Sequence, residues 1–200
     1  MRMKLRTAAG NLTLAACYLL FSWGMLNDFM HTYRFSSLIL TVFETLIVFY
    51  CLFRPAPKQA NTSIYDWSVA LAGTFILLLL RPAAQVNDHP AIIALQLVGM
   101  SISLAALFSL NKSFGLVAAN RGVKRGGLYG VVRHPIYAGY FISFAAYVTQ
   151  NATVVNVVLY AVFICLELLR VAAEERLLSG DPEYVSYARS TRWRVVPFVY

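Results

Sequence analysis

The chain has 200 residues, of which 59% are hydrophobic and 13% charged, a balance outside the soluble range and that of a membrane protein. A formal net charge of +8 would suit nucleic acid in a soluble chain. In a multi-span protein, lysine and arginine instead record orientation and contact with anionic headgroups, so membrane lipids are the expected partner and nucleic acid is not.

The basic start, Met1 to Arg6, resembles the front of a secretory signal. The apolar run behind it is long enough to span, shows no small-residue cleavage site and is followed by further spans, so it is read as a retained helix. Six apolar segments follow in order: Gly10 to Leu26, Ser37 to Phe53, Trp67 to Leu80, Ala91 to Leu110, Ile136 to Thr149 and Thr153 to Val171. They predict an all-α integral membrane protein of about six transmembrane helices. A helix needs about 20 residues to cross a core of ~30 Å, so the short third and fifth segments must tilt, borrow flanking residues or lie partly inside the protein.

With both termini cytoplasmic, fifteen of the 17 lysines and arginines fall on the cytoplasmic side, and only Arg34 and Arg81 fall outside. The connections Arg54-Pro55-Ala56-Pro57, Asn87-Asp88-His89-Pro90 and Gln150-Asn151-Ala152 are turn-like and join the helices as hairpins. The chain is one domain in two parts: residues 1–110, the N-terminal transmembrane helices, and residues 111–200, which hold the candidate chemistry. Cys17, Cys51 and Cys165 lie singly in apolar runs and are read as small packing residues.

The last segment continues helically beyond Val171 until Gly180, a candidate C-terminal cap, giving about 26 residues or roughly 39 Å, which must protrude from the cytoplasmic face. Asp181-Pro182-Glu183 then reads as an N-cap with proline in the first turn, opening a short amphipathic helix through Tyr184 and Tyr187. Trp193, Arg194, Pro197 and Tyr200 close the chain at interface depth.

Charge, glycine and aromatic hydroxyls collect in Arg121 to Gly139 and in Arg170 to Glu175. Glu167, Arg170 and Glu174 share one helix face, while Glu175 is turned about 100° away. An acid in an apolar run is costly and faces a partner or a cavity; the bland alternative is an Arg170–Glu174 pair worth about 0.3–0.5 kcal/mol. Glu44, midway along the second segment, is read as a packing hydrogen bond. Gly126-Gly127-Leu128-Tyr129-Gly130 brings backbone amides within reach of a ligand, and Pro135 suits a first helical turn behind His134. Of the three histidines, His31 and His89 fall on the opposite side from His134, and no HExxH, CxxC or GxSxG occurs, so no metal is expected.

Taken together, Gly127-Leu128-Tyr129, the run Val132-Arg133-His134-Pro135-Ile136-Tyr137-Ala138-Gly139, Arg170-x3-Glu174-Glu175 and the closing Tyr184, Tyr187, Trp193, Arg194 and Pro197 resemble the isoprenylcysteine carboxyl methyltransferase family of integral membrane enzymes, related to phospholipid N-methyltransferases. The resemblance covers roughly Phe114 to Tyr200, and RHPxYxG followed by RxxxEE is its specific part. It implies an S-adenosylmethionine site at the cytoplasmic face, walled by the C-terminal helices and lined by Arg121, Gly122, Val123, Lys124, Tyr129, His134, Pro135, Tyr137 and Glu174. Arg170 matches the arginine that meets a lipophilic or lipidated methyl acceptor, and Arg170 and Glu174 are the catalytic pair it implies. Two departures stand out: Leu128 replaces a proline in the glycine turn, and Ser179-Gly180-Asp181-Pro182 replaces a Phe-Gly. Two other readings stay open. One is a membrane reductase of the sterol-reductase type, marked by stabilisation with NADPH; the other is a non-catalytic membrane assembly protein, in which Glu174→Gln changes no cofactor response.

Overall fold

A computed structural model describes residues 2–53, 59–60, 63–84, 88–110, 119–120 and 122–200. The described chain is built of seven α-helices: α1 (Arg2–Thr32), α2 (Phe35–Phe53), α3 (Ile64–Ile76), α4 (Pro90–Leu110), α5 (Pro135–Gln150), α6 (Val154–Leu178) and α7 (Pro182–Ser190). A 3₁₀ turn, Leu77–Leu79, prolongs α3, and another spans Gly127–Gly130. The exception to an all-α fold is a two-residue antiparallel pairing of β1 (Gln59–Ala60) with β2 (Ala119–Asn120), Gln59 opposite Asn120.

Each of the six apolar segments falls on a helix. Among the described residues, α4 and α6 are long and apolar enough to cross a membrane, each with a mean hydropathy of 2.2. The first helix starts at Arg2 and ends at Thr32, well outside the expected Gly10 to Leu26. Lysine and arginine are good helix formers, so a hydropathy limit is not a helix limit. Local caps fix other boundaries: Ser63 accepts from the Asp66 N–H, Thr153 from the Asn156 N–H and Asp181 from the Glu183 N–H. Ser179, not Gly180, is the C-cap of α6, its N–H returning to Glu175 O. The expected turn at Arg54 to Pro57, together with Lys58, Asn87, Lys112 and Arg121, lies outside the described residues.

Helices α4 and α5 approach each other backbone to backbone. A Cβ added at Gly139 would stand 2.5 Å from Gly99 O and 2.7 Å from Ser103 N, and one at Gly99 would stand 2.7 Å from Gly139 O. No larger residue fits at either position. Four residues on from each glycine, a serine crosses to the other helix: Ser103 Oγ donates to Ile136 O at 3.1 Å and Ser143 Oγ to Gln96 O at 3.2 Å. Small residues with crossing hydroxyls are how apolar helices associate when no hydrophobic drive separates neighbour from solvent. This crossing sets where the first turn of α5 stands.

The main core joins Phe21 and Met25 of α1, Leu40 and Phe43 of α2, Met100 of α4, Phe144 and Tyr147 of α5 and Phe163 of α6. Large aliphatic residues such as Leu20, Val98, Val154, Val155 and Val158 face outward.

Candidate functional site

The site is assembled where α5 begins. His134 is the N-cap of α5 but makes no capping bond with its side chain. Pro135 takes the first helical position, where its missing N–H costs nothing. The imidazole is thereby left to reach α6, and it lies between two neighbouring carboxylates. Nε2 is 2.8 Å from Glu175 Oε1 and Nδ1 is 3.4 Å from Glu174 Oε2. One turn on, Tyr137 donates its hydroxyl to Glu174 Oε1 at 2.5 Å.

Glu175 is the hub of the cluster. Arg133 grips it with a fork, Nε to Oε1 at 2.8 Å and Nη2 to Oε2 at 2.9 Å. Tyr184 of α7 donates to Oε1 at 2.6 Å, and Arg194 Nε stands 3.8 Å from Oε2. Bidentate, charge-assisted bonds of this kind are the strong ones. The same Arg133 donates through Nη1 to Thr191 O at 3.0 Å, and its backbone N–H donates to Trp193 O at 2.9 Å. His134 N–H donates to Arg194 O at 2.7 Å. One carboxylate therefore ties together the loop before α5, the last turns of α6, helix α7 and the C-terminal segment.

The charges answer to this geometry. Burial by itself would lower the His134 imidazole, but its hydrogen bonds to Glu174 and Glu175 outweigh it and hold the pKa above the ordinary 6.5. Burial pulls the Glu175 carboxyl upward, yet the bonds from His134, Tyr184 and Arg133 and the His134 charge bring it down to about 2. A protonated imidazole between two ionised carboxylates satisfies all three groups.

Arg170 lies one turn earlier on α6. It donates to Glu167 Oε1 at 2.7 Å, and its guanidinium carbon is 5.4 Å from the centre of the Tyr137 ring. The partner described here is thus three residues back, not the Glu174 four residues ahead.

Of the residues singled out in the sequence, His134, Pro135, Tyr137, Arg170 and Glu174 come together. Tyr129 is buried with Tyr184 and Tyr187 beneath the cluster, Val123 packs on that aromatic group, and Tyr187 donates to Tyr129 O at 2.6 Å. Gly122 and Lys124 are exposed on the loop. Gly122 has φ +93 and Gly127 φ +61, the left-handed region that glycine adopts without strain.

Sequence reasoning gave no role to Arg133 or Glu175. The available signal was adjacency: Arg133 precedes His134 and Glu175 follows Glu174, so a histidine aimed at one acid brings its neighbour to the other. Among the described residues, no group of three or more metal-ligating side chains gathers. No family model matches the chain, and no curated protein matches it.

Proposed function

We propose that the chain is a multi-pass membrane methyltransferase that binds S-adenosylmethionine at its cytoplasmic face and serves a lipophilic acceptor. The observation that carries this reading is the meeting of Tyr137, His134 and Glu174 at 2.5 and 3.4 Å, with Arg170 one turn away toward the apolar part of α6. The membrane setting rests on α4 and α6, on the outward aliphatic surface and on the bias of lysine and arginine in the sequence. On this topology the cluster lies at the cytoplasmic end of the helices.

The donor set suits the cofactor. Glu174 is a carboxylate held by a phenol and an imidazole rather than by a guanidinium fork, so it can exchange a partner for an ammonium or a ribose hydroxyl. Gly122 and Gly127 allow a ligand to approach the backbone closely. S-adenosylmethionine supplies an electrophilic methyl group on a sulfonium, chemistry that asks the protein for alignment and exclusion of water more than for a strong acid or base. Glu174, His134, Tyr137 and the loop from Gly122 to Tyr129 would hold it; Arg170 would orient the acceptor. Calorimetric titration of the detergent-purified full chain with S-adenosylhomocysteine tests this. We expect binding in the micromolar range that Glu174→Gln weakens; absence of binding to the wild type overturns the reading.

A further inference from the structure

The segment that follows α7 turns back onto the helices. Arg133 N–H donates to Trp193 O and His134 N–H to Arg194 O. Val195, 1% exposed, then packs with Tyr137 of α5 and Val171 of α6. Helix α6 is long and apolar enough to cross a membrane, and Val171 closes its apolar run, roughly two turns before the helix ends. The segment therefore sits back from the end of α6, at the height where its apolar part begins. Beyond Val195 it closes into a tight loop. The N–H groups of Val195 and Val196 both donate to Tyr200 O, at 2.8 and 3.0 Å, and Tyr200 N–H donates to Val196 O at 3.0 Å.

The tip of this loop is apolar, strained and outward. Phe198 has φ +66, a left-handed conformation that suits glycine and strains a bulky residue. It is nevertheless 85% exposed, and Val199 beside it is 77% exposed. Its ring centre is 5.3 Å from that of Trp193. A glycine would serve the backbone better and little of the phenylalanine is buried, so the ring serves a contact outside the chain. The flanks are cationic: Arg189, Arg192 and Arg194 and no acid lie between Tyr184 and Tyr200. Arg189 and Arg192 are exposed, while Arg194 donates to the Tyr200 hydroxyl at 2.9 Å. An aromatic tip between arginines is complementary to an anionic bilayer surface, where rings settle at headgroup depth and guanidinium groups meet phosphates.

We propose that the loop from Val195 to Tyr200 docks on the anionic surface of the bilayer that the helices cross. Phe198 and Val199 enter the interface, and Arg189 and Arg192 meet lipid phosphates. The contact steadies the carbonyls of Trp193 and Arg194, which hold the start of α5, so the bilayer braces His134 and Tyr137 from the side opposite the two acids of α6. The proposal needs the membrane setting alone and goes beyond the methyltransferase reading, whose failure would leave it standing.

The test places the full chain in nanodiscs of phosphatidylcholine, or of an equal mixture with phosphatidylglycerol, and follows its backbone amides by NMR. A phospholipid carrying a nitroxide high on its acyl chain should broaden the amides of Phe198 and Val199, more so in the mixture, and a soluble gadolinium chelate should spare them. Amide exchange at Arg133 and His134 should be slower in the mixture by about threefold or more. The double variant Phe198→Ser, Val199→Ser should lose both effects. If that variant fails to fold, the wild type in the two bilayers decides. Broadening of the tip by the chelate and not by the lipid overturns the proposal. Protection from both reagents does so too, since protein such as a second copy would then cover the tip, and so does equal exchange at Arg133 and His134 in the two bilayers.

Discussion

The two ends of the helical bundle each bury an arginine beside a carboxylate, and they use it differently. At the end where α1 turns into α2, Arg34 is 1% exposed; Nη1 is 3.5 Å from Asp28 and 3.0 Å from Asn151 Oδ1, and Nη2 is 2.8 Å from Ala83 O. Asn151 in turn accepts from the Ala83 N–H and donates to Tyr147 O, while Asp28 accepts from Ser37 at 2.6 Å. Most of these partners are neutral groups at helix ends, so this cluster staples three connections and does little else. At the other end Arg133 also staples, through Glu175, but its neighbours are a histidine, a second carboxylate and two phenols. Buried charge alone therefore does not mark a site. What sets Glu174 apart is that it is a charged group held by a phenol and an imidazole.

That contrast can be broken most forcefully at the staple. Arg34→Met leaves the shape roughly filled but strips a partner from Asp28, from the Asn151 side-chain oxygen and from the Ala83 carbonyl. Removing one member of a buried pair costs about 3–5 kcal/mol, so the thermal midpoint in detergent should fall by many degrees. S-adenosylhomocysteine affinity of the folded fraction should hold. A parallel loss of affinity would show that the two ends are coupled and that the division drawn above is false.

The next effect separates the two neighbouring acids. Glu175→Gln keeps the size of the hub but loses the charge that Arg133, His134 and Tyr184 address. A hydrogen bond to a charged group is worth about 1.5–3 kcal/mol, and that much stability should be lost. Amide exchange should rise at Arg133 and His134, whose N–H groups hold Trp193 O and Arg194 O. Unchanged exchange at those two amides would mean that the C-terminal segment is anchored without Glu175. Glu174→Gln should spare that exchange and weaken S-adenosylhomocysteine by about 1.5–3 kcal/mol. Arg170→Lys keeps the charge, loses the planar fork and should leave cofactor affinity nearly intact. Equal loss of affinity in Glu174→Gln and Arg170→Lys would defeat the separation of cofactor and acceptor roles.

What the sequence made legible follows from how local each cause is. Thr153, Pro135 and Asp181-Pro182 announce helix starts because capping is chemistry between residues two or three apart. The meeting of His134 and Tyr137 with Glu174 was legible only through a motif, since they are separated by more than thirty residues. Periodicity set Glu175 aside by placing it about 100° from Glu174, which is correct for a helix viewed alone. It fails here because residues 133–134 and the C-terminal segment wrap that side of α6, and no repeat in the sequence encodes where a loop lies. The Arg34 staple was illegible for the same reason: its partners at Asn151 and Ala83 are fixed by the packing of α3, α5 and α6.

The smallest expected effect is a pH dependence belonging to the cluster around His134 and Glu175 alone. His134 is held above 6.5 when folded, so its interactions stabilise fully below about 6.5 and are lost as pH rises through the higher folded value. Glu175 is held near 2 against an ordinary 4.5, so its contribution is complete above 4.5 and is lost as pH falls toward 2. The His134–Glu175 contact enters both shifts, beside the larger contribution of Glu174 to His134, and must be counted once. The cluster should therefore be firmest between about pH 4.5 and 6.5 and loosen on the alkaline side first. Thermal midpoints of the wild type and His134→Gln, measured from pH 5 to 9, should converge as pH rises, because the variant has no imidazolium to lose. An Arg34→Met curve should instead run parallel to the wild type throughout. Parallel curves for His134→Gln would mean that the imidazole does not change its charge between pH 5 and 9 and gives the cluster no pH dependence.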